Sequence, residues 1–199
     1  GVIFPNPNAP TSIYEDLEFV EDIIRHNQDV IVIVDEAYID FAGESALSLL
    51  DKYDNLIITQ TFSKARSMAG MRIGYAIASP LLIKYLNDAK YSFNSYTMNK
   101  TSLVYGVEAV KDKEYFAETT RKIVETRDWA EEEFKKLGFV FPKPSANFIF
   151  VSHPEYDAKE LFEAMKAKGI YVRFWGSERI EQYLRVTIGT REEMEALFA

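Results

Sequence analysis

The chain has 199 residues, 47% hydrophobic and 27% charged, with a net charge of −8; that composition belongs to a folded globular chain with room for one or two cores, and it sets disorder aside. The acidic surplus offers no footprint for a phosphate backbone, so nucleic acid is not an expected partner. With no Cys and only His26 and His153, neither a disulfide nor a thiolate or histidine metal centre can be assembled, and no metal is expected.

The start, Gly1-Val2-Ile3-Phe4-Pro5, reads as a strand-like apolar stretch running into a Pro/Asn turn. It lacks the basic and long apolar regions of a secretory signal, and no later run approaches a membrane span, so a cytoplasmic chain with no membrane partner is expected. Both ends read as cut: there is no initiating Met, and the last residues stop inside a helical pattern. A helix is predicted over residues 14–27, with apolar positions Leu17, Val20, Ile23 and Ile24. The β-branched run Val30-Ile31-Val32-Ile33-Val34 reads as a strand buried on both faces. Residues 56–61 and 73–78 supply two more strands, and the alternation of strand and helix is an α/β signature.

After Pro80 the pattern turns helical, over 81–90, 99–111 and a long charged stretch of 113–137 that Gly138 ends. Short strands follow at 139–141, 147–151, 171–175 and 184–188, between helices at 157–168 and from Arg191 onward. These form a second, smaller α+β unit, and the division expected is 1–115 and 116–199. The aromatic residues Tyr91, Phe93, Tyr96, Phe174 and Trp175 are read first as core packing, with a pocket or dimer surface as the other reading. Gly70 and Gly74 precede a strand instead of opening a helix, so they make no dinucleotide fingerprint.

The chemistry concentrates where strands end. Lys64 lies in the run Thr61-Phe62-Ser63-Lys64, directly after a predicted strand. An amine used for covalent chemistry needs a site that holds its carbonyl partner and tunes its basicity. The hydroxyls of Thr61 and Ser63 lie beside it, and Arg72, read as opening the next strand, offers a guanidinium to a phosphate. Asp35 and Tyr38 follow the strongest strand candidate, and open α/β sheets bind ligands at the carboxyl ends of their strands. A carboxylate there can pair with a protonated ring nitrogen, and a phenol three residues on can meet a ring oxygen. Taken singly, Lys64 also reads as a solvated lysine and Asp35 as a cap or an ion-pair partner.

Four blocks are also familiar together: Pro7 to Thr11; Asp35-Glu36-Ala37-Tyr38-Ile39-Asp40-Phe41; Thr61 to Ala65 with Ala69-Gly70-Met71-Arg72-Ile73-Gly74-Tyr75; and Leu184-Arg185-Val186-Thr187-Ile188-Gly189-Thr190. In order and spacing they resemble histidinol-phosphate aminotransferases, which are fold-type-I enzymes dependent on pyridoxal 5′-phosphate. The resemblance implies an α/β class with part of the large, mostly parallel α/β/α domain in residues 1–115. The long connecting helix and the small carboxy-terminal α+β domain would then occupy 116–199. It implies Lys64 as the residue that carries the cofactor covalently and serves as base, with Asp35 at the pyridine nitrogen and Tyr38 at the 3′ oxygen. Thr61, Ser63 and Arg72 would hold the phosphate. Arg185 matches the arginine that clamps the α-carboxylate of amino-acid substrates in the wider family, where histidinol phosphate itself has a hydroxymethyl group. Arg173 is a candidate for the substrate phosphate, and Asn147 is either near the substrate or a turn or strand-edge residue.

Relatives usually read Asn-Pro-Thr-Gly where this chain has Ala9-Pro10-Thr11-Ser12. Alanine cannot make the expected contact to the 3′ oxygen, so either Asn8 reaches in or Tyr38 and water serve alone. Ser12 in place of Gly suggests a less demanding backbone angle at that turn. By the resemblance, roughly the first two fifths of the polypeptide are absent, and the 199-residue piece alone is expected to bind the cofactor weakly and turn over negligibly. A homodimer and small amino and keto substrates are implied in the same way. Transamination of histidinol phosphate with 2-oxoglutarate is the activity implied. An aromatic amino-acid aminotransferase, a phosphoamino-acid decarboxylase, a non-catalytic cofactor-sensing domain and a plain α/β scaffold are the alternatives.

Overall fold

A computed structural model describes residues 1–199 and divides them into two compact units, Gly1–Pro7 with Tyr14–Glu118 and Asn8–Ile13 with Thr119–Ala199. In the first unit, strands β1 (Val2–Pro5), β2 (Val32–Asp35) and β3 (Leu56–Thr61) run parallel, and β4 (Gly74–Ala78) adds antiparallel to β3. The register pairs Val2 with Val32, Val32 with Leu56 and Thr61 with Gly74. Helix α1 (Leu17–Arg25) lays Val20 and Ile24 on Val32, Val34, Leu56 and Ile58, forming a core that also takes in Leu49 and Tyr53. Each such fully buried side chain contributes about 1.5–3 kcal/mol.

The expected helix over 14–27 is shorter because Asp16 caps it, its carboxylate accepting from the Phe19 amide at 2.9 Å. The strand expected at 30–34 starts two residues later and ends on Asp35. It is buried on one face, through Val32 and Val34, while Ile33 is only half-buried and Ile31 is exposed. Helix α2 (Pro80–Phe93) follows β4, and α3 (Lys100–Lys111) starts at Asn99, whose Oδ1 accepts from the Ser102 amide at 2.8 Å. Core packing fails as the role of three aromatic residues: Tyr91, Phe93 and Tyr96 are 65%, 93% and 93% exposed. They lie beyond Leu82, the buried residue of α2, where residues 84–94 are exposed throughout.

Helix α4 (Lys113–Lys136) contains the boundary between the units. Gly138 ends it at φ +82°, donating to the Lys135 carbonyl while Phe139 donates to that of Phe134, the paired bonds of a left-handed cap. In the second unit, β5 (Phe148–Val151), β6 (Arg173–Phe174) and β7 (Leu184–Thr187) form an antiparallel sheet in the order β5-β7-β6. With α5 (Ala158–Ala167) and α6 (Arg191–Phe198) they enclose Phe134, Ile149, Val151, Leu184, Val186 and Met194. No strand forms at 139–141; only Val140 pairs, with Ser152, because the two flanking phenylalanines pack on Phe134 instead. No helix is long and apolar enough to cross a membrane.

Candidate active site

In the first unit, one edge of the sheet gathers the residues singled out from the sequence. Parallel β2 and β3 end there on Asp35 and Thr61, so Tyr38, Ser63 and Lys64 follow on the same side. Because β4 is antiparallel, its beginning lies at that edge too, and Phe62 donates to the Ile73 carbonyl at 3.1 Å. The loop 62–73 is therefore a closed connection with Lys64 near one end and Arg72 near the other.

Lys64 is half-buried, and its Nζ stands 5.2 Å from the centre of the Tyr38 ring, itself 8% exposed. The Asp35 carboxylate accepts from the Ala37 amide at 3.1 Å, a local turn that ends β2 and fixes one of its oxygens. It forms neither a helix cap nor an ion pair. The hydroxyls of Thr61 and Ser63 are 3.0 Å apart, and the Thr61 oxygen also accepts from the Ser63 amide at 3.1 Å.

Arg72 does not open a strand. It ends a short 3-10 turn at Ala69–Met71 with φ 57° and ψ 42°, and it is exposed, with one guanidinium nitrogen donating to the Ala69 carbonyl at 3.1 Å. A left-handed backbone at a non-glycine residue costs about 1–2 kcal/mol and is kept where surrounding contacts hold it. The turn thereby brings the Arg72 backbone next to Ile73, whose carbonyl accepts from the Thr61 hydroxyl at 3.2 Å.

Sequence reasoning missed what supports this edge. Glu36, 2% exposed, accepts from the Ser45 hydroxyl at 2.6 Å, the Ala46 amide at 2.7 Å and the Gln60 side chain at 2.8 Å. Tyr75 donates to the other end of the Gln60 amide at 2.6 Å. Burial first, then the Asp40 carboxylate, raise the Tyr75 phenol above its ordinary 10.0, which keeps it a donor. The available signal was the period of two along a strand: it puts Glu36 on the face opposite Asp35.

The second unit holds the other candidates. The Arg185 guanidinium lies 4.9 Å from the Phe148 ring centre and 5.5 Å from that of Trp175, and Arg173 lies 5.2 Å from the same Trp175. Arg185 Nε is buried without a hydrogen-bond partner, an incomplete cation of the kind an anionic ligand would complete. Asn147 directly precedes β5, and its backbone carbonyl accepts from Ile188 at 2.9 Å, so strand pairing accounts for its main chain.

Asn8 spends its side-chain oxygen locally, accepting from the Thr11 hydroxyl at 2.7 Å. The less demanding angle expected at Ser12 is overturned: Ser12 sits at φ 64°, fully buried. Its hydroxyl compensates by accepting from the amides of Ser145 at 2.9 Å and Ala146 at 2.8 Å.

An amine beside an aromatic face, with hydroxyls and an arginine around one loop at the carboxyl edge of an α/β sheet, is the arrangement of an enzyme fold that binds its ligands at strand ends. Residues 1–199 match the family described as aminotransferase class I and II, and the chain belongs to that family. It is 51% identical over 196 residues to a histidinol-phosphate aminotransferase of Brachyspira hyodysenteriae, covering 98% of this chain and 55% of that protein. The chain thus spans just over half the length of the curated relatives it matches. The histidinol-phosphate aminotransferase of Clostridium acetobutylicum shares its fold with a TM-score of 0.90 at 24% identity, over 99% of this chain and 61% of that one. That of Sinorhizobium meliloti, solved in complex with pyridoxal-5′-phosphate, gives 0.86 at 28% identity, over 99% of this chain and 55% of that one.

Proposed function

We propose that this chain is the part bearing Lys64 of a pyridoxal-phosphate-dependent histidinol-phosphate aminotransferase. The observation that carries the reading is the Lys64 amine over the Tyr38 ring at 5.2 Å, at the sheet edge that also carries Asp35 and the 62–73 loop. Identity to a relative named for this activity, 51% over 196 residues, supports the substrate.

The residues present fit the cofactor. Lys64 Nζ would hold it and move the proton taken from the substrate Cα. Asp35, with one oxygen fixed by Ala37, would keep the pyridine nitrogen protonated, and the Tyr38 hydroxyl would donate to the 3′ oxygen. Thr61, Ser63 and Arg72 would hold the phosphate, with Asn8 a lesser candidate at the 3′ oxygen through its amide nitrogen. Bound pyridoxal phosphate supplies an electron sink for the charge released at Cα. Arg185, Arg173 and Asn147 are assigned to the substrate, the two arginines as anion partners. Residues 1–115 would be the second part of the cofactor-binding domain and 116–199 the connecting helix with the small domain.

The full-length gene product tests the reading. Amino transfer from histidinol phosphate to 2-oxoglutarate is expected to exceed transfer from phenylalanine, with no carbon dioxide released from a phosphoamino acid, and Lys64→Ala should abolish both turnover and the visible absorbance of the bound cofactor. Preferred turnover of phenylalanine, or decarboxylation, would replace the substrate assignment. A homodimer in the cytoplasm belongs to the same proposal; light scattering checks the first and cell fractionation the second.

A further inference from the structure

Ser102 lies in the first turn of α3, with its amide already taken by Asn99. The residue is 1% exposed, and its hydroxyl donates to the Met71 carbonyl at 2.7 Å. A serine inside a helix commonly turns its hydroxyl back to the preceding turn of its own helix. Here the hydroxyl crosses to another element and takes the one carbonyl that precedes Arg72.

That carbonyl matters because a peptide plane turns as a unit. Flipping the Met71–Arg72 peptide would carry Arg72 out of its left-handed conformation, φ 57°, and reverse the Met71 oxygen. A buried donor fixed on that oxygen holds the plane as it stands. Helix α3 approaches the same loop at two later turns. Gly106 lets it close on Ile73, since a Cβ there would stand 2.9 Å from Ile73 Cδ1. Further along, the Arg66 guanidinium donates to the Ala109 carbonyl at 2.6 Å and lies 4.2 Å from the Phe116 ring centre. The loop bearing Lys64 and Arg72 is thus tied to α3 near both of its ends.

We infer that Ser102 is a positioning residue for the cofactor phosphate, acting through the backbone of Arg72. The inference rests on the pyridoxal-phosphate reading above, with Arg72 as a phosphate ligand. It separates the phosphate end of the site from the covalent end: loss of the Ser102 hydroxyl loosens the guanidinium and leaves the Lys64 amine in place.

The test is equilibrium binding to the full-length apoenzyme, read by absorbance, with pyridoxal phosphate and with pyridoxal, which keeps the aldehyde and lacks the phosphate. Ser102→Ala should raise the Kd of pyridoxal phosphate five- to tenfold, about 1–1.4 kcal/mol, and move that of pyridoxal by less than about twofold. Ser102→Thr, which keeps the hydroxyl, should restore the phosphate preference. In an Arg72→Met background, Ser102→Ala should add nothing. Equal weakening of both ligands would reduce Ser102 to a packing residue, and an unchanged Kd would remove its role altogether. Should Ser102→Ala not fold, Ser102→Cys reads the same contrast through a weaker donor. Wild-type protein that binds no pyridoxal phosphate would overturn the cofactor assignment, and this inference with it, before any substitution is made.

Discussion

Gln60, on β3, donates through its side chain to the buried carboxylate of Glu36 at 2.8 Å, and so links the chain leaving β2 to the strand that leads to Lys64. Glu36 has no Lys or Arg partner there; its charge is met by the Gln60 amide, the Ser45 hydroxyl and the Ala46 amide. Such a carboxylate holds several donors at once, and removing it strands them. Glu36→Ala is expected to lower stability by about 2–3 kcal/mol, and Glu36→Gln by less because it keeps an acceptor. Urea unfolding followed by far-ultraviolet circular dichroism measures both; an unshifted midpoint for Glu36→Ala would contradict the network.

Ser12 separates a backbone effect from a hydrogen-bond effect. Ser12→Ala keeps a Cβ at φ 64° and leaves the buried Ala146 amide without its acceptor, for a loss of about 1–3 kcal/mol. Ser12→Gly loses the same acceptor but relieves the left-handed backbone, so it should be less damaging by about 1 kcal/mol. The order of the two midpoints is the measurement.

Acid sensitivity has an identified contributor in Asp157, the cap of α5. The Gln182 side chain first, then the amides of Glu160 and Lys159, hold its carboxyl below the ordinary 3.8. A carboxyl depressed in the folded state adds stability above its unfolded value, and that stability is lost as pH falls through the folded one. Thermal unfolding should therefore show a drop in Tm below pH 3.8 that is smaller in Asp157→Asn. Parallel profiles would mean that the cap carries no pH dependence.

Arg185 divides stability from recognition. Its guanidinium packs on Phe148 and Trp175 while its Nε is left without a partner. Arg185→Met keeps the apolar contact and removes the buried, unpartnered Nε, so Tm should hold or rise. On the proposed function, the same change in the full-length protein should raise KM for the carboxylate-bearing pair, glutamate and 2-oxoglutarate, at least tenfold, about 1.4 kcal/mol, with little change in cofactor binding. A lowered Tm with unchanged KM would make Arg185 structural.

What could be read along the chain was whatever depends on neighbours in sequence. Residues 56–61 are a strand as expected, Gly138 ends α4, and the order of strand and helix announced the α/β class, because period, capping and left-handed glycine are local properties. The resemblance of four separate blocks went further and named Lys64, Asp35 and Arg72 together. It could not show the backbone at Arg72 or Ser12, since a left-handed angle at a non-glycine residue is kept by distant contacts: Ser102 lies 31 residues from Met71, whose carbonyl it holds, and the 145–146 amides lie 133 residues or more from Ser12. Nor could it find Glu36, whose acceptors and donors meet only when β2, β3 and the 45–46 turn are in place. Sequence chose the chemistry of the loop, and tertiary packing decided how that loop is held, because a buried hydrogen bond requires both partners to have left water at the same place.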